Sequence, residues 1–451
     1  MTYPDALTYL GQTRRFGMKL GLEPMRDLAR ALGNPQDGLR FIHLAGTNGK
    51  GSTAAFCESC LRAAGFRVGL YTSPHLVSVR ERIQINRQLI SEADFAAGME
   101  TVRHADEGMA DPATTFFEIT TAIALWYFAR EKVDWVVWET GLGGRLDATN
   151  IVTPEICIIT NIGLEHQQYL GRSLAEIAAE KAGIIKPGVP VVTAVEKNEA
   201  GAVILKRMES ANKNGPGTLI RWTEKLEDLG IRDNKQLARM GGNHPERVVS
   251  LGLLGAHQIE NAACAVAALD HIRWGHAKIF PPEIPEGAIQ LGLSTTVWPG
   301  RFEILSEKPL IVLDGAHNPA GMAMLLETWR SFLAARGICA PMHVVFASVA
   351  DKDISEMAQL IRPIAGKVSL VRLANERTAD PAMLAQSFTG LPHACYNSVS
   401  DLWPLLEKAD PASVTLITGS LFLVGEMLAL RRGNAEEYQL NERLEKLTVS
   451  R

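Results

Sequence analysis

The chain has 451 residues, too many for one ordinary core, so two domains or one heavily elaborated domain are expected. Hydrophobic residues make up 46% and charged residues 21%, and 46 basic against 50 acidic side chains leave a formal net charge of -4. That balance excludes a general electrostatic affinity for nucleic acid or an anionic membrane, while leaving room for a local basic pocket around a small anion. The start, Met1-Thr2-Tyr3-Pro4-Asp5-Ala6, has no basic stretch followed by an apolar core, which argues against a secretory signal. No apolar run reaches the roughly 18 residues of a membrane span. Six scattered cysteines are not a disulfide framework, and the expected compartment is the cytoplasm.

In chain order, residues 41–45 (Phe-Ile-His-Leu-Ala) read as a buried strand feeding the loop Gly46-Thr47-Asn48-Gly49-Lys50-Gly51-Ser52. A helix over residues 54–64 follows, closed by Gly65. Cys57 and Cys60 fall on one face of that helix, and no second Cys/His pair lies nearby to suggest a metal or redox role. Residues 133–138 and 156–160 are further strands, each ending in a polar cluster: Glu139-Thr140-Gly141 and Asn161 with Glu165-His166. In open α/β sheets ligands bind at the carboxyl ends of the strands, where these clusters fall. Residues 213–245, rich in charge, Gly and Asn, predict irregular structure or a β-hairpin, and the prolines at 281, 282 and 285 a rigid loop. After a short helix a domain boundary is expected between residues 296 and 297. Beyond it come strands at residues 310–313, 343–347, 368–371 and 414–418, with amphipathic helices that include residues 320–335 and 354–361. The expected fold is α/β: a P-loop-type ATPase domain over residues 1–296 with a mostly parallel sheet, then a smaller Rossmann-like α/β domain over 297–451. No G-x-G-x-x-G fingerprint indicates a dinucleotide.

The glycine loop carries the strongest local chemistry. Its glycines let backbone N–H groups turn toward phosphate oxygens, and the following helix N-terminus adds partial positive charge. Lys50 can neutralise β- and γ-phosphates and the Ser52 hydroxyl can sit on Mg²⁺. The loop departs from the strict Walker pattern: Leu44 replaces its first glycine, and Gly51 separates the lysine from the hydroxyl. Glu139 ends an almost wholly apolar strand, a costly place for a carboxylate unless it is bonded, paired or on a metal. His166 alone reads as an ordinary structural hydrogen-bonder, and Lys181 as a solvated helix-end lysine. Asp314-Gly315-Ala316-His317-Asn318-Pro319 concentrates three polar side chains at a strand end.

Together these segments resemble the folylpolyglutamate synthase/dihydrofolate synthase family, within the wider group of Mur-type ATP-dependent amide ligases. The resemblance runs in order through Leu32-Gly33-Asn34-Pro35-Gln36, His43 to Ser52, Tyr71-Thr72-Ser73-Pro74-His75-Leu76 and Thr115-Phe116-Phe117-Glu118. It continues through Glu139 to Asn150, Asn161 to His166, Glu180 to Ile184, His257-Gln258 with Asn261, Trp298-Pro299-Gly300-Arg301, Asp314 to Pro319 and Gly419-Ser420-Leu421. It implies that Gly46, Thr47, Asn48, Gly49, Lys50, Gly51 and Ser52 cradle ATP, joined by Asn261, Arg301 and Asp314. Ser52, Ser73 and Glu139 would surround one Mg²⁺, and His166 with Glu139 would serve a second. Lys181 matches a lysine carbamylated in the family, and Lys181, His317, Asp314 and Lys50 are the implied catalytic groups. Thr115, Phe116, Phe117, Glu118 and Glu165 match segments that contact the pterin-bearing substrate, although the family often has Asp where Glu165 stands. The implied reaction joins L-glutamate to dihydropteroate, to a folate, or to both, through an acyl phosphate, in a monomer without nucleic-acid or membrane partners. A cell-wall Mur ligase, which needs a further N-terminal domain, and a nucleotide-dependent switch are the rival readings.

Overall fold

The computed structural model describes residues 1–13, 21–109, 114–196, 198–211, 219–221, 226–240, 247–275, 284–375 and 377–433. The first sheet is built from β1 (Phe41–Ala45), β2 (Val68–Tyr71), β3 (Ile83–Ile85), β4 (Gln88–Leu89), β5 (Trp135–Glu139), β6 (Ile156–Ile159), β7 (Val191–Thr193) and β8 (Leu219–Arg221). Their order across the sheet is β4-β3-β2-β5-β1-β6-β7-β8. Every pairing from β2 to β8 is parallel, and β3 and β4 close one edge as an antiparallel hairpin. β1, β2, β5, β6 and β7 are buried at every position, as continuous apolar runs covered by helices on both faces must be. On one face Ile42, Leu44, Val137 and Ile158 join a core with helices Lys50–Ala63, Ala256–Gly275 and Glu286–Thr295. On the other, Phe41, Val136 and Trp138 pack with helices Tyr3–Thr13, Glu92–Glu107 and Phe116–Arg130.

A three-stranded antiparallel sheet follows, β9 (Glu227–Arg232), β10 (Lys235–Met240) and β11 (Arg247–Leu251). This realises the hairpin expected there, and the proline loop at residues 281–283 lies outside the described residues. The last sheet contains β12 (Glu303–Glu307), β13 (Leu310–Leu313), β14 (Met342–Phe346), β15 (Ala365–Val371), β16 (His393–Tyr396) and β17 (Val414–Thr418), in the order β12-β13-β17-β14-β15-β16. Only the β12–β13 pair is antiparallel. Two separate cores cover its faces, one around Trp329, Phe332 and Phe346 and one around Leu313, Val345 and Met427. Among the described residues no helix is long and apolar enough to cross a membrane.

Candidate active site

Strand register assembles the site. β1 lies between β5 and β6, with Leu44 opposite Glu139 and Ala45 opposite Ile159. The glycine loop leaving β1 is therefore flanked by Glu139 and by the polar residues after β6. β2 is the next neighbour of β5, with Tyr71 opposite Trp138, so Ser73 arrives beside Glu139. The Ser73 N–H donates to Glu139 Oε2 at 3.2 Å.

The loop is held from β6. Thr47 N–H donates to the Asn161 carbonyl at 3.0 Å, Asn48 N–H to Asn161 Oδ1 at 2.8 Å, and the Thr160 hydroxyl to the Asn48 carbonyl at 2.7 Å. Thr47 Oγ1 also accepts from Gly163 N–H at 3.0 Å. Two glycines are sterically required. A Cβ on Gly46 would stand 1.9 Å from Thr160 Oγ1, and one on Gly49, whose φ is +83°, would stand 2.1 Å from Asn261 Oδ1. Asn261 thus lies directly against the loop, and its amide donates to Gln258 Oε1 at 3.0 Å. Asn161, read from the sequence as part of a polar cluster without a role of its own, and Thr160, which motif reading missed, are structural members of the site. The signal for Thr160 is a hydroxyl immediately after a buried strand, which is common and therefore weak.

Two lysines converge on one carbonyl. Lys50 Nζ donates to the Gly46 oxygen at 3.0 Å, and Lys181 Nζ donates to the same oxygen at 2.8 Å. Lys181 is 5% exposed, which corrects its reading as a solvated helix-end side chain. The turn after β5 brings it in: Arg145 N–H donates to the Glu180 carbonyl at 2.8 Å, and a Cβ on Gly144 would lie 2.9 Å from the Lys181 carbonyl. Burial, and next the neighbouring Lys50 charge, lower the Lys181 pKa to about 7. Glu139, 3% exposed, is shifted the opposite way for the same first reason. Desolvation pushes it up to about 7 against the pull of Lys50 and the Ser73 hydrogen bond.

The second domain presents Asp314 at the end of β13. Its carboxylate accepts from Phe302 N–H and Ala316 N–H, each at 2.8 Å, and burial raises its pKa. His317 Nδ1 donates to the Gly315 carbonyl at 2.8 Å, which leaves Nε2 turned toward Glu165 Oε1 at 4.0 Å. His166 Nε2 lies 4.0 Å from the same Glu165 oxygen. Glu165 thus stands between histidines of the two domains, and burial lowers both imidazole pKa values. His166 has φ +51°, an uncommon left-handed conformation for a side-chain-bearing residue.

The Thr115 to Glu118 segment divides in two. Thr115 and Glu118 form a reciprocal capping box, with Thr115 N–H donating to Glu118 Oε2 at 2.7 Å and Glu118 N–H to Thr115 Oγ1 at 3.3 Å. Phe117 reaches the site: a Cβ on Gly141 would lie 2.6 Å from its ring. Phe116 is buried, with the Arg82 guanidinium 5.2 Å from its ring centroid.

The Glu139 carboxylate is buried and holds the Ser73 backbone N–H, and the hydroxyls of Ser52 and Ser73 are the further hard-oxygen donors that would complete a set suited to Mg²⁺. Burial raises the Glu139 pKa against the pull of Lys50, Arg301 and Arg82, and a cation at its oxygens would offset that desolvation. No three His, Cys, Asp or Glu side chains are grouped for a metal among the described residues. A metal here would therefore need serine hydroxyls, waters and nucleotide phosphates to complete its shell.

Comparison with known proteins agrees with this geometry. Residues 44–269 match the Mur ligase middle domain and residues 300–421 the Mur ligase glutamate ligase domain. The chain is 36% identical over 441 residues to the dihydrofolate synthase/folylpolyglutamate synthase of Bacillus subtilis, covering 94% of this chain and 98% of that protein. The structure of E. coli FolC in complex with DHPP and ADP superposes with a TM-score of 0.82 at 29% identity, covering 96% of this chain and 98% of that one. The folylpolyglutamate synthase of Thermotoga maritima superposes with a TM-score of 0.82 at 34% identity, covering 97% and 99%. A two-domain α/β chain with a phosphate loop at the carboxyl edge of its first sheet, this protein belongs to the dihydrofolate synthase/folylpolyglutamate synthase family of Mur-type ATP-dependent ligases.

Proposed function

We propose that the protein uses ATP to join L-glutamate to a pteroate or folate carboxylate, acting both on dihydropteroate and on reduced folates. The observation that carries this reading is the convergence of Lys50 and Lys181 on the Gly46 carbonyl, with the buried Glu139 carboxylate under the charge of Lys50 and of Arg301 from the second domain. Residues 1–296 would hold the nucleotide and residues 297–451 would deliver the amino acid.

A carboxylate is a poor electrophile because it would have to expel oxide. Transfer of the γ-phosphoryl group gives an acyl phosphate, whose leaving group is phosphate. The α-amine of L-glutamate then attacks the acyl carbon, the tetrahedral intermediate expels phosphate, and the amide remains. Lys50 and Arg301 would offset negative charge on the phosphoryl group in flight. Ser52, Ser73, Glu139 and His166 would hold up to two Mg²⁺ ions, which would neutralise phosphate charge. Apposition of the two domains across Glu165 would keep water from the acyl phosphate. Phe117, against Gly141, offers an aromatic face for a pterin.

Lys181 fits carbamylation. Its lowered pKa leaves a neutral amine near pH 7, whose lone pair can attack CO₂, form an N–C bond and release one proton to solvent. The product puts an anion beside the phosphate loop, where the protonated amine would repel a metal. Phosphate release with ATP, L-glutamate and dihydropteroate tests the activity, and product mass spectrometry with a reduced folate monoglutamate separates the two substrates. No stimulation of phosphate release by either pterin substrate would sink this reading.

A further inference from the structure

In the interdomain linker, the Trp298 side chain rests on the phosphate-loop helix. A Cβ at position 51 would lie 3.0 Å from the Trp298 indole Nε1 and 3.1 Å from its Cζ2, closer than the packing tolerates unless the indole shifts. Gly51 is the residue that separates Lys50 from Ser52, so the extra glycine in the loop coincides with the place where the indole sits. Arg87 holds the same linker. Its guanidinium carbon lies 5.0 Å from the Trp298 ring centroid, and its Nη2 donates to the Val297 carbonyl at 3.0 Å. Arg87 belongs to the two-residue turn between β3 and β4, where Asn86 and Arg87 have φ values of +49° and +67°. Such turns favour glycine at the second position. An arginine there is a strained choice that its hold on the linker accounts for.

Downstream, Trp298-Pro299-Gly300-Arg301 is a tight turn closed by Arg301 N–H to the Trp298 carbonyl at 3.2 Å. Proline at its second position and Gly300 at φ +70° are what a type II turn requires. The turn is bonded to the end of β13: Gly315 N–H donates to the Gly300 carbonyl at 2.9 Å and Phe302 N–H to Asp314 Oδ2 at 2.8 Å. Arg301 Nη1 returns to the Gly300 carbonyl at 3.1 Å. Trp298, the turn, Arg301 and Asp314 therefore form one connected unit, and its first residue lies on the first turn of the nucleotide-site helix.

We propose that Trp298, seated on the bare backbone of Gly51 and held by Arg87, is a positioning residue that sets Arg301 and Asp314 against the phosphates on the loop. This rests on the reading of Gly46 to Ser52 and Arg301 as nucleotide ligands. Trp298 would act through Arg301 rather than on the reacting atoms, so the test is a double-mutant cycle. Turnover and the affinity for AMPPCP, a non-hydrolysable ATP analogue, are measured for wild type, Trp298→Ala, Trp298→Phe, Arg301→Ala and the Trp298→Ala/Arg301→Ala pair. Trp298→Ala is expected to lower kcat by about 10²-fold, the scale of a misplaced charge, with Trp298→Phe recovering most of it. In the Arg301→Ala background the same truncation is expected to cost less than about twofold, because the group it positions is gone. Equal losses in both backgrounds, or wild-type turnover in Trp298→Ala, would overturn the proposal. If Trp298→Ala fails to fold, Arg87→Met releases the linker from the surface and takes its place in the cycle. If wild type binds AMPPCP but turns over no pterin substrate, the substrate reading fails separately. The cycle is then read from AMPPCP affinity, where non-additivity supports positioning and additivity overturns it.

Discussion

Lys181 and His43 show how burial converts ordinary side chains into chemically specific ones. The Lys181 amine, lowered to about 7, stays nucleophilic at neutral pH, whereas a solvated lysine is almost wholly protonated. Lys181→Arg keeps a positive charge but cannot form a carbamate, so it is expected to lose ligation as fully as Lys181→Ala, by about 10²-fold or more. Substantial turnover in Lys181→Arg, measured as phosphate release, would exclude the carbamate. Stimulation by bicarbonate should also be greater above pH 7, where the neutral amine predominates, than at pH 6. His43 is a structural counterpart. Its Nε2 lies 3.1 Å from Thr149 Oγ1, whose own proton goes to Asp147, so the imidazole donates through Nε2 and is neutral. Burial holds its pKa at about 3 against 6.5 for an exposed histidine. Between those values the unfolded chain binds the extra proton and the folded one does not. The stability is therefore fully present above pH 6.5 and declines as the pH falls toward 3, by up to about 1.4 kcal/mol per pH unit. His43→Asn should be less stable at neutral pH yet lose less on acidification. Denaturant midpoints at pH 7.5 and 5 measure this, and parallel pH slopes for the two proteins would count against it.

At the scale of elements, the strands carry the site and the loops between them tune it. Gly49→Ala illustrates the constraint: at φ +83° the new methyl would be strained and would collide with Asn261. It should weaken ADP binding by about tenfold or more while leaving the thermal midpoint within a few degrees, since the loop lies outside the cores. Calorimetric titration with ADP decides it. The Thr115 capping box is the opposite case, a stability element beside a functional one. Thr115→Ala should cost about 1 kcal/mol in denaturant unfolding, whatever it does to substrate. Much of this was legible in the sequence. Strand β1 matches its expected span, as does helix Ile354–Ile361, because apolar period and flanking breakers both signal them. Helix Lys50–Ala63 begins earlier than the expected residue 54, because Lys50, Gly51 and Ser52 already form its first turn. A polar, glycine-bearing first turn carries no apolar period to announce it. The burial of Lys181 was not legible locally either. It depends on the turn Gly141 to Arg145, which comes against the helix end only once β5 and β6 are paired with β1.

Across the whole molecule, the two domains meet at Glu165, at Val77 and Leu254, whose side chains join the two cores of the second domain, and at the hairpin of β9 and β10. The hairpin is bonded to the first domain, with Lys235 Nζ donating to the Ser294 carbonyl at 2.6 Å and Gly255 N–H to Gln236 Oε1 at 3.2 Å. Its tip reaches the second domain. Arg336 Nη2 donates to Asn234 Oδ1 at 2.5 Å while Arg336 Nη1 pairs with Glu307 at 2.6 Å, and half-buried Ile231 packs on the core around Trp329 and Phe332. An apolar contact of this kind couples unfolding of the two domains, whereas the exposed polar bonds at the tip add little. Ile231→Ala should therefore cost about 1–2 kcal/mol, less than a fully buried truncation. The larger effect should be on cooperativity. Scanning calorimetry of wild type is expected to give one transition, and Ile231→Ala two overlapping ones, as the second domain loses part of its support. ADP should raise the single transition of wild type and, in Ile231→Ala, the transition of the first domain, because the phosphate loop is held by β6 and Asn261 rather than by the hairpin. A single transition in Ile231→Ala, merely lowered in temperature, would show that the remaining contacts, Val77 and Leu254 among them, are enough to couple the domains.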